Sequence, residues 1–177
     1  MFKRLSVSLA ILLATAVGPI AVANAGATGV TSDPIPVGAV VVNNGSYSGT
    51  STLPSGCLTP DYSSIQTAVI VVEIEQAFSS EPAGQAIYVC AGTYDENVTV
   101  ESDVTLDGAQ YDTSAVGRSG APETIIDSGA GITYASTATT GTLSGFTLNS
   151  ATDLTGGEIS ADGVGSGWTF TNNIITH

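Results

Sequence analysis

Asp107 and Asp127 end two look-alike runs, Val104-Thr105-Leu106-Asp107-Gly108 and Thr124-Ile125-Ile126-Asp127-Ser128-Gly129. Units that recur at about 20 residues read as one supersecondary element stacked on copies of itself. Stacking at the usual strand separation of about 4.8 Å would set the two aspartates side by side. Carboxylates at that range repel by roughly 1 kcal/mol in water, and several-fold more beside a low-dielectric surface. Splayed rotamers, turn N–H donors, a raised pKa or a bound cation would relieve the repulsion. Three chemistries therefore compete for the pair: turn formation ahead of a glycine, a weak Ca²⁺ site, and paired acid/base catalysis. Turn formation asks least of the chain. Asp95, Glu96, Glu101 and Asp103 flank one strand and make a denser acidic group. The plain reading is a solvated face, and the other is a second weak Ca²⁺ candidate. Apart from Ca²⁺, no cofactor is expected.

Other reactive side chains are scarce. His177 is the single histidine and stands last, with no group to orient it as a general base. Lys3 and Arg4 precede an apolar run from Leu5 to Val22 and an Ala23-Asn24-Ala25 site, the pattern of an export signal cleaved after Ala25. Gly18 and Pro19 interrupt that run, which falls short of the ~20 apolar residues a membrane span needs. Residues 1–25 are therefore read as a signal peptide, and the chain as secreted or cell-surface, bacterial, and free of the membrane once cleaved. Cleavage leaves 152 of 177 residues, enough for one domain with a core. It also leaves 16 carboxylates against Arg118, a formal charge of −15. Phosphate binding needs clustered Lys and Arg, so nucleic acid is not an expected partner. An anionic polysaccharide such as pectate would need a bridging cation. Cys57 and Cys90 in an exported chain most simply form one disulfide, since free thiols fit an oxidising compartment poorly.

These residues need elements to hold them. Residues 26–55 are rich in Gly, Ser, Thr and Pro, with a β-like run Ala39-Val40-Val41-Val42 ahead of Asn44-Gly45: a linker or an added edge strand. Ser63 with Gln66 three residues on makes a capping box. Ile65, Ala68, Val69, Val72 and Phe78 fall near one helical face, so a helix is expected from Ser63 to a stop in residues 79–84. The β-branched run Val69-Ile70-Val71-Val72 leaves a strand as the alternative. From Ile87 onward the period is two: Ile87-Tyr88-Val89, Val98-Thr99-Val100, Val104-Thr105-Leu106, Ile132-Thr133-Tyr134, Phe146-Thr147-Leu148 and Trp168-Thr169-Phe170. Alternation turns the large apolar pairs inward and Thr99, Thr105, Thr133, Thr147 and Thr169 outward, where they could align as a ladder. Short strands with polar turns suit a sandwich, a barrel or a solenoid. The spacings from Leu106 to Ile126 and from Leu143 to Phe170 favour an all-β fold, a right-handed parallel β-helix with one N-terminal capping α-helix. An immunoglobulin-like sandwich would want Cys–Trp–Cys order, and Trp168 lies beyond both cysteines.

Tyr62-Ser63-Ser64-Ile65-Gln66-Thr67-Ala68-Val69, then Ala86-Ile87-Tyr88-Val89-Cys90-Ala91-Gly92-Thr93-Tyr94-Asp95-Glu96-Asn97-Val98, then Val104-Thr105-Leu106-Asp107-Gly108, resembles the opening of secreted pectin-lyase-like right-handed β-helix proteins. Asn172-Asn173-Ile174-Ile175 is similar to segments of their later coils. The resemblance covers residues 62–177 and implies a helix that caps the first coil. Pectinesterases of that superfamily use two Asp and an Arg with Gln in support, and pectate lyases use a basic residue with Ca²⁺ held by acidic side chains. Those groups sit on middle coils, at or beyond His177 here, and Arg118 in the loop between the first two coils matches none of them. Residues 56–177 are thus expected to hold the capping helix and the first coils of a β-helix that is incomplete at its C-terminus. The expected role is structural, adhesive or carbohydrate-contacting, without catalysis by this chain, with polysaccharide or cell-envelope components as partners. The rival expectation is the N-terminal part of a polysaccharide lyase or pectinesterase-like enzyme. An uncapped last coil around Phe170 and Ile174 is expected to self-associate.

Overall fold

The computed structural model of the chain describes residues 31–78, 85–118, 120–129, 131–149, 159–161 and 167–176. The expected signal peptide, the helix stop at residues 79–84 and His177 lie outside the described residues. The strands are β1 (Val40–Val42), β2 (Ala86–Val89), β3 (Gly92–Tyr94), β4 (Val98–Val100), β5 (Thr105–Gly108), β6 (Thr124–Ile126), β7 (Ile132–Tyr134), β8 (Thr140–Ser144), β9 (Phe146–Asn149), β10 (Ile159–Ser160), β11 (Gly167–Thr171) and β12 (Ile174–Thr176). Helix α1 (Ile65–Phe78) lies between β1 and β2, after a short 3₁₀ turn at Ser55–Leu58.

All strand pairings are parallel and fall into three sheets. The first sheet runs β1-β2-β5-β8-β11, the second β3-β6-β9-β12 and the third β4-β7-β10. From β2 on, the chain visits first, second and third sheet in strict rotation, an order compatible with a β-solenoid. Circuits differ in length. Thr171 stacks on Ser144 at 27 residues and Asn149 meets Asp127 at 22, while a long loop, residues 109–123, separates β5 from β6.

Each circuit sends alternate residues into one shared core. Ile87, Leu106 and Leu143 stack in register along the first sheet, Tyr94, Ile126 and Leu148 along the second, and Val98 with Ile132 along the third. All of them belong to a single buried cluster. Each such side chain contributes roughly 1.5–3 kcal/mol by leaving water. Two corners between the first and second sheets turn on a left-handed residue: Gly145 (φ 78°) after β8, and Asn172 (φ 55°) at the matching place after β11. Asn is among the few residues with a side chain that tolerate this region. Gly141 (φ 154°) also serves packing, because a Cβ there would clash with the Val104 carbonyl and lie 2.5 Å from the Trp168 ring that seats on it.

Three unlike devices close the three sheets at the first circuit. On the first sheet, β1 pairs with β2, and its own outer side is taken by Asp61 and Tyr62, with the Val41 amide donating to Asp61 Oδ2 at 2.8 Å. On the second, the Thr93 amide donates to Ser46 Oγ and the Asn44 side-chain amide donates to the Thr93 carbonyl, both at 2.7 Å. On the third, α1 replaces a strand. Gln66 takes both backbone groups of Thr99, accepting from its amide at 2.6 Å and donating to its carbonyl at 3.2 Å. Glu73 Oε1 accepts from the Glu101 and Ser102 amides, and Gln76 donates to the Asp103 carbonyl. The β-branched run Val69–Val72 is helical, with Val69 and Val72 fully buried against the first circuit.

The helix start differs from the capping box read in the sequence. Ser64, not Ser63, is the cap, accepting from the Thr67 amide, and Gln66 is spent on Thr99. The reciprocal acceptor comes from far away: Glu96 accepts from Ser64 Oγ at 2.8 Å, from the Ile65 amide at 3.0 Å and from the Gln66 amide at 3.1 Å. A carboxylate at a helix N-terminus satisfies orphan N–H groups and complements the macrodipole. Cys57 and Cys90 form a disulfide with Cα atoms 6.0 Å apart, tying the 3₁₀ turn to the end of β2. Closing that loop contributes roughly 4 kcal/mol in the chain-entropy treatment.

Candidate functional site

Asp107 and Asp127 are not register partners, which corrects the stacked-pair expectation. Asp107 is in β5 of the first sheet and is flanked in register by Tyr88 and Ser144. Asp127 follows β6 of the second sheet, where its amide donates to the Tyr94 carbonyl and its carboxylate accepts from Asn149. The look-alike runs are successive strands of one circuit, separated by the 109–123 loop, and not equivalent strands of successive circuits.

Asp107 is the more unusual of the two. It points outward from the first sheet yet is only 7% exposed, and no described residue hydrogen-bonds to its carboxylate. Burial pushes its pKa up to about 6. Segment 31–34 and the 109–113 loop are laced together over this face. Tyr88 donates to the Asp33 carbonyl and Tyr111 to the Pro34 carbonyl, while Asp33 accepts from the Asp112 amide and Thr113 Oγ1. The Tyr88 and Tyr111 rings meet edge-on at 6.2 Å. Burial, and next the charges of Asp33 and Asp107 among others, raise both phenols. Chemically this is one carboxyl that changes charge near pH 6 without a partner to share a proton.

Two members of the four-residue acidic group have structural tasks, and two are exposed. Glu96 caps α1. Asp103 accepts from the Thr139 and Thr140 amides at 2.7 and 2.8 Å and from Thr139 Oγ1. Slight burial alone would raise its carboxyl, but these donors outweigh it and hold the pKa below the usual value. Glu101 offers its amide to Glu73 and its carbonyl to Thr137, leaving its side chain exposed, and Asp95 is exposed as well. Among the described residues no three acidic, His or Cys side chains converge as a metal would require.

Arg118 is equally committed. Its side chain is 1% exposed and Nη1 donates to the carbonyls of Gln110, Thr113 and Asn172. Nε lies 2.8 Å from Glu123 Oε1 as an ion pair without a well-directed hydrogen bond, and Glu123 Oε2 accepts from Thr147. The outward threonines divide among the sheets instead of forming one ladder. Thr105, Thr142 and Thr169 align on the first sheet and Thr99 with Thr133 on the third, while Thr147 stands between Ile125 and Ile174 on the second.

A groove of about 600 Å³ lies between α1 and the end of β4, lined by Ile70, Ile74, Ala77 and Phe78 on one side and by Thr99 and Glu101 on the other. Neither this groove nor the Glu96 cap was read from the sequence. Ile70, Ile74 and Phe78 do recur at helical spacing, but Phe78 was assigned to the buried face, whereas it is 89% exposed. Among the described residues, no helix is long and apolar enough to cross a membrane. Comparison with protein-family models, with curated proteins and with solved structures finds no match to this chain.

Proposed function

We propose that the chain is an exported right-handed parallel β-helix module of the pectin-lyase-like kind, with a structural, adhesive or carbohydrate-contacting role and no catalysis of its own. The rotation through three parallel sheets supports the architecture. One observation carries the functional part: three of the charged groups singled out in the sequence are engaged in holding the fold. Glu96 caps a helix, Asp103 a turn, and Arg118 is buried against three carbonyls. The outward hydroxyl row Thr105, Thr142 and Thr169 offers uncharged donors and acceptors at strand spacing, which suits a neutral polysaccharide better than an anionic one facing this acidic chain. The rival, an N-terminal part of a lyase or esterase, draws on β11 and β12 being outer strands among the described residues.

The test is a pair of assays on the 177-residue chain. Sedimentation with insoluble neutral cell-wall polysaccharide should show binding that Thr142→Ala weakens. Unsaturated-product and methanol-release assays on pectin, with and without Ca²⁺, should stay at the blank. Turnover in either assay would overturn the non-catalytic reading, and absence of binding would remove the carbohydrate role.

A further inference from the structure

The outward side of α1 carries an apolar stripe that the fold leaves uncovered. Ile70, Ile74 and Phe78 stand one turn apart and are 45%, 51% and 89% exposed. They form one wall of the 600 Å³ groove, whose opposite wall is the end of β4 and the turn after it. The backbone polar groups of that second wall are largely used already. Gln66 is paired with the Thr99 backbone, Glu73 Oε1 holds the Glu101 and Ser102 amides, and Thr137 Oγ1 donates to the Glu101 carbonyl. What stays open to a ligand is apolar carbon, bordered by the Glu73 carboxylate with one oxygen engaged and by the exposed Glu101.

We propose that this groove docks a basic amphipathic segment of a partner protein, whose apolar side chains lie along Ile70, Ile74 and Phe78 while its Lys or Arg residues pair with Glu73 and Glu101. Charge selects the occupant. The chain has 16 acidic residues against three basic ones, so a second copy would bring like charge to a rim that is itself acidic. Anionic lipid meets the same repulsion. A helix face presenting anchors at positions i, i+4 and i+8 matches the spacing by which amphipathic segments seat in grooves. Its volume lies within the range of built ligand sites.

The probe is a fluorescent Leu/Lys amphipathic peptide titrated into the full chain and followed by anisotropy, with a Ser/Lys peptide of equal charge as control. The Leu/Lys peptide should bind at low salt and weaken at about 0.5 M salt, where charge is screened. Combined Ile70→Ser and Ile74→Ser changes, both at exposed positions, should weaken it at least about tenfold, as loss of a hot spot does. Glu101→Gln should lower affinity less and flatten the salt dependence. Val116→Ser, at an exposed apolar position in the 109–123 loop, should change nothing. Circular dichroism melts establish that each variant is folded. Equal binding of the Ser/Lys peptide, or unchanged binding by the Ile variant, would overturn the proposal. So would a dimer in sedimentation that the Ile variant abolishes, which would give the groove to a second copy.

Discussion

The first and last circuits pose the same physical problem and meet it differently. Each sheet must end somewhere, and an end strand carries a row of N–H and C=O groups with no strand to pair them. At the first circuit those rows are met by β1, by the Asn44–Ser46 turn and by side chains of α1. At the last, β11 and β12 are the outer strands of their sheets among the described residues, and the core thins with them. Leu143 is fully buried while Phe170, next in the same inward row, is 41% exposed. Leu148 is 1% exposed and its row-mate Ile175 59%. An inward position is therefore worth what its neighbouring circuits make it worth, and residue type alone does not decide.

The comparison can be broken most sharply at the disulfide, which clamps the closed end. Cys57→Ser with Cys90→Ser should cost about 4 kcal/mol in urea unfolding. A loss below about 1 kcal/mol would mean that β1 and the 3₁₀ turn hold without it. Next come row-mates. Leu143→Ala should cost about 3 kcal/mol and Phe170→Ala about 1, measured by the same unfolding curves. Equal losses would show that Phe170 is covered in solution.

The middle of the stack answers to pH. Because the folded-state pKa of Asp107 is raised to about 6, its protonated form favours folding below about pH 4. That contribution fades as pH climbs through 6, where the carboxylate ionises without a partner. Asp107→Asn should therefore leave stability at pH 4 almost unchanged and raise it by about 2 kcal/mol at pH 8. A variant that stabilises equally at both pH values would disprove the cause. Asp103 carries the opposite sign: its lowered pKa stabilises above the unfolded value and is lost as pH falls, so Asp103→Asn should destabilise near neutrality and not in strong acid. Glu96→Gln, which leaves the helix cap uncharged, should cost about 1 kcal/mol in thermal melts. The smallest effect is association through β11 and β12, weak enough to appear in sedimentation only at high concentration. Lys introduced at Thr169 should abolish it by charging an edge strand.

Much of the scaffold was legible because its signals are local. Alternation at Ile87–Val89, Val98–Val100 and Ile132–Tyr134 reports one buried face within three residues, and all three segments are strands. Strand β3 hides because its inward positions are Gly92 and Tyr94, a pair that reads as a turn. Register was misread for a related reason. A matching pattern at Leu106 and Ile126 says that both are buried, not on which sheet, and the long 109–123 loop restores an apparent period by accident. Capping by Glu96 and Gln66 had no local signature, since their partners lie about 30 residues away along the chain. The environment of Asp107 was equally invisible, because it is made by Tyr111 and segment 31–34 folding over the sheet.

Arg118 sits in a loop of the second circuit yet grips the carbonyl of Asn172 in the fourth. Pulling on the last circuit would load that contact early, before the third circuit gives way, and tearing it open strands a guanidinium that burial has cut off from water. The loop is in effect a tie-rod across the stack. It sets the direction in which the chain resists peeling.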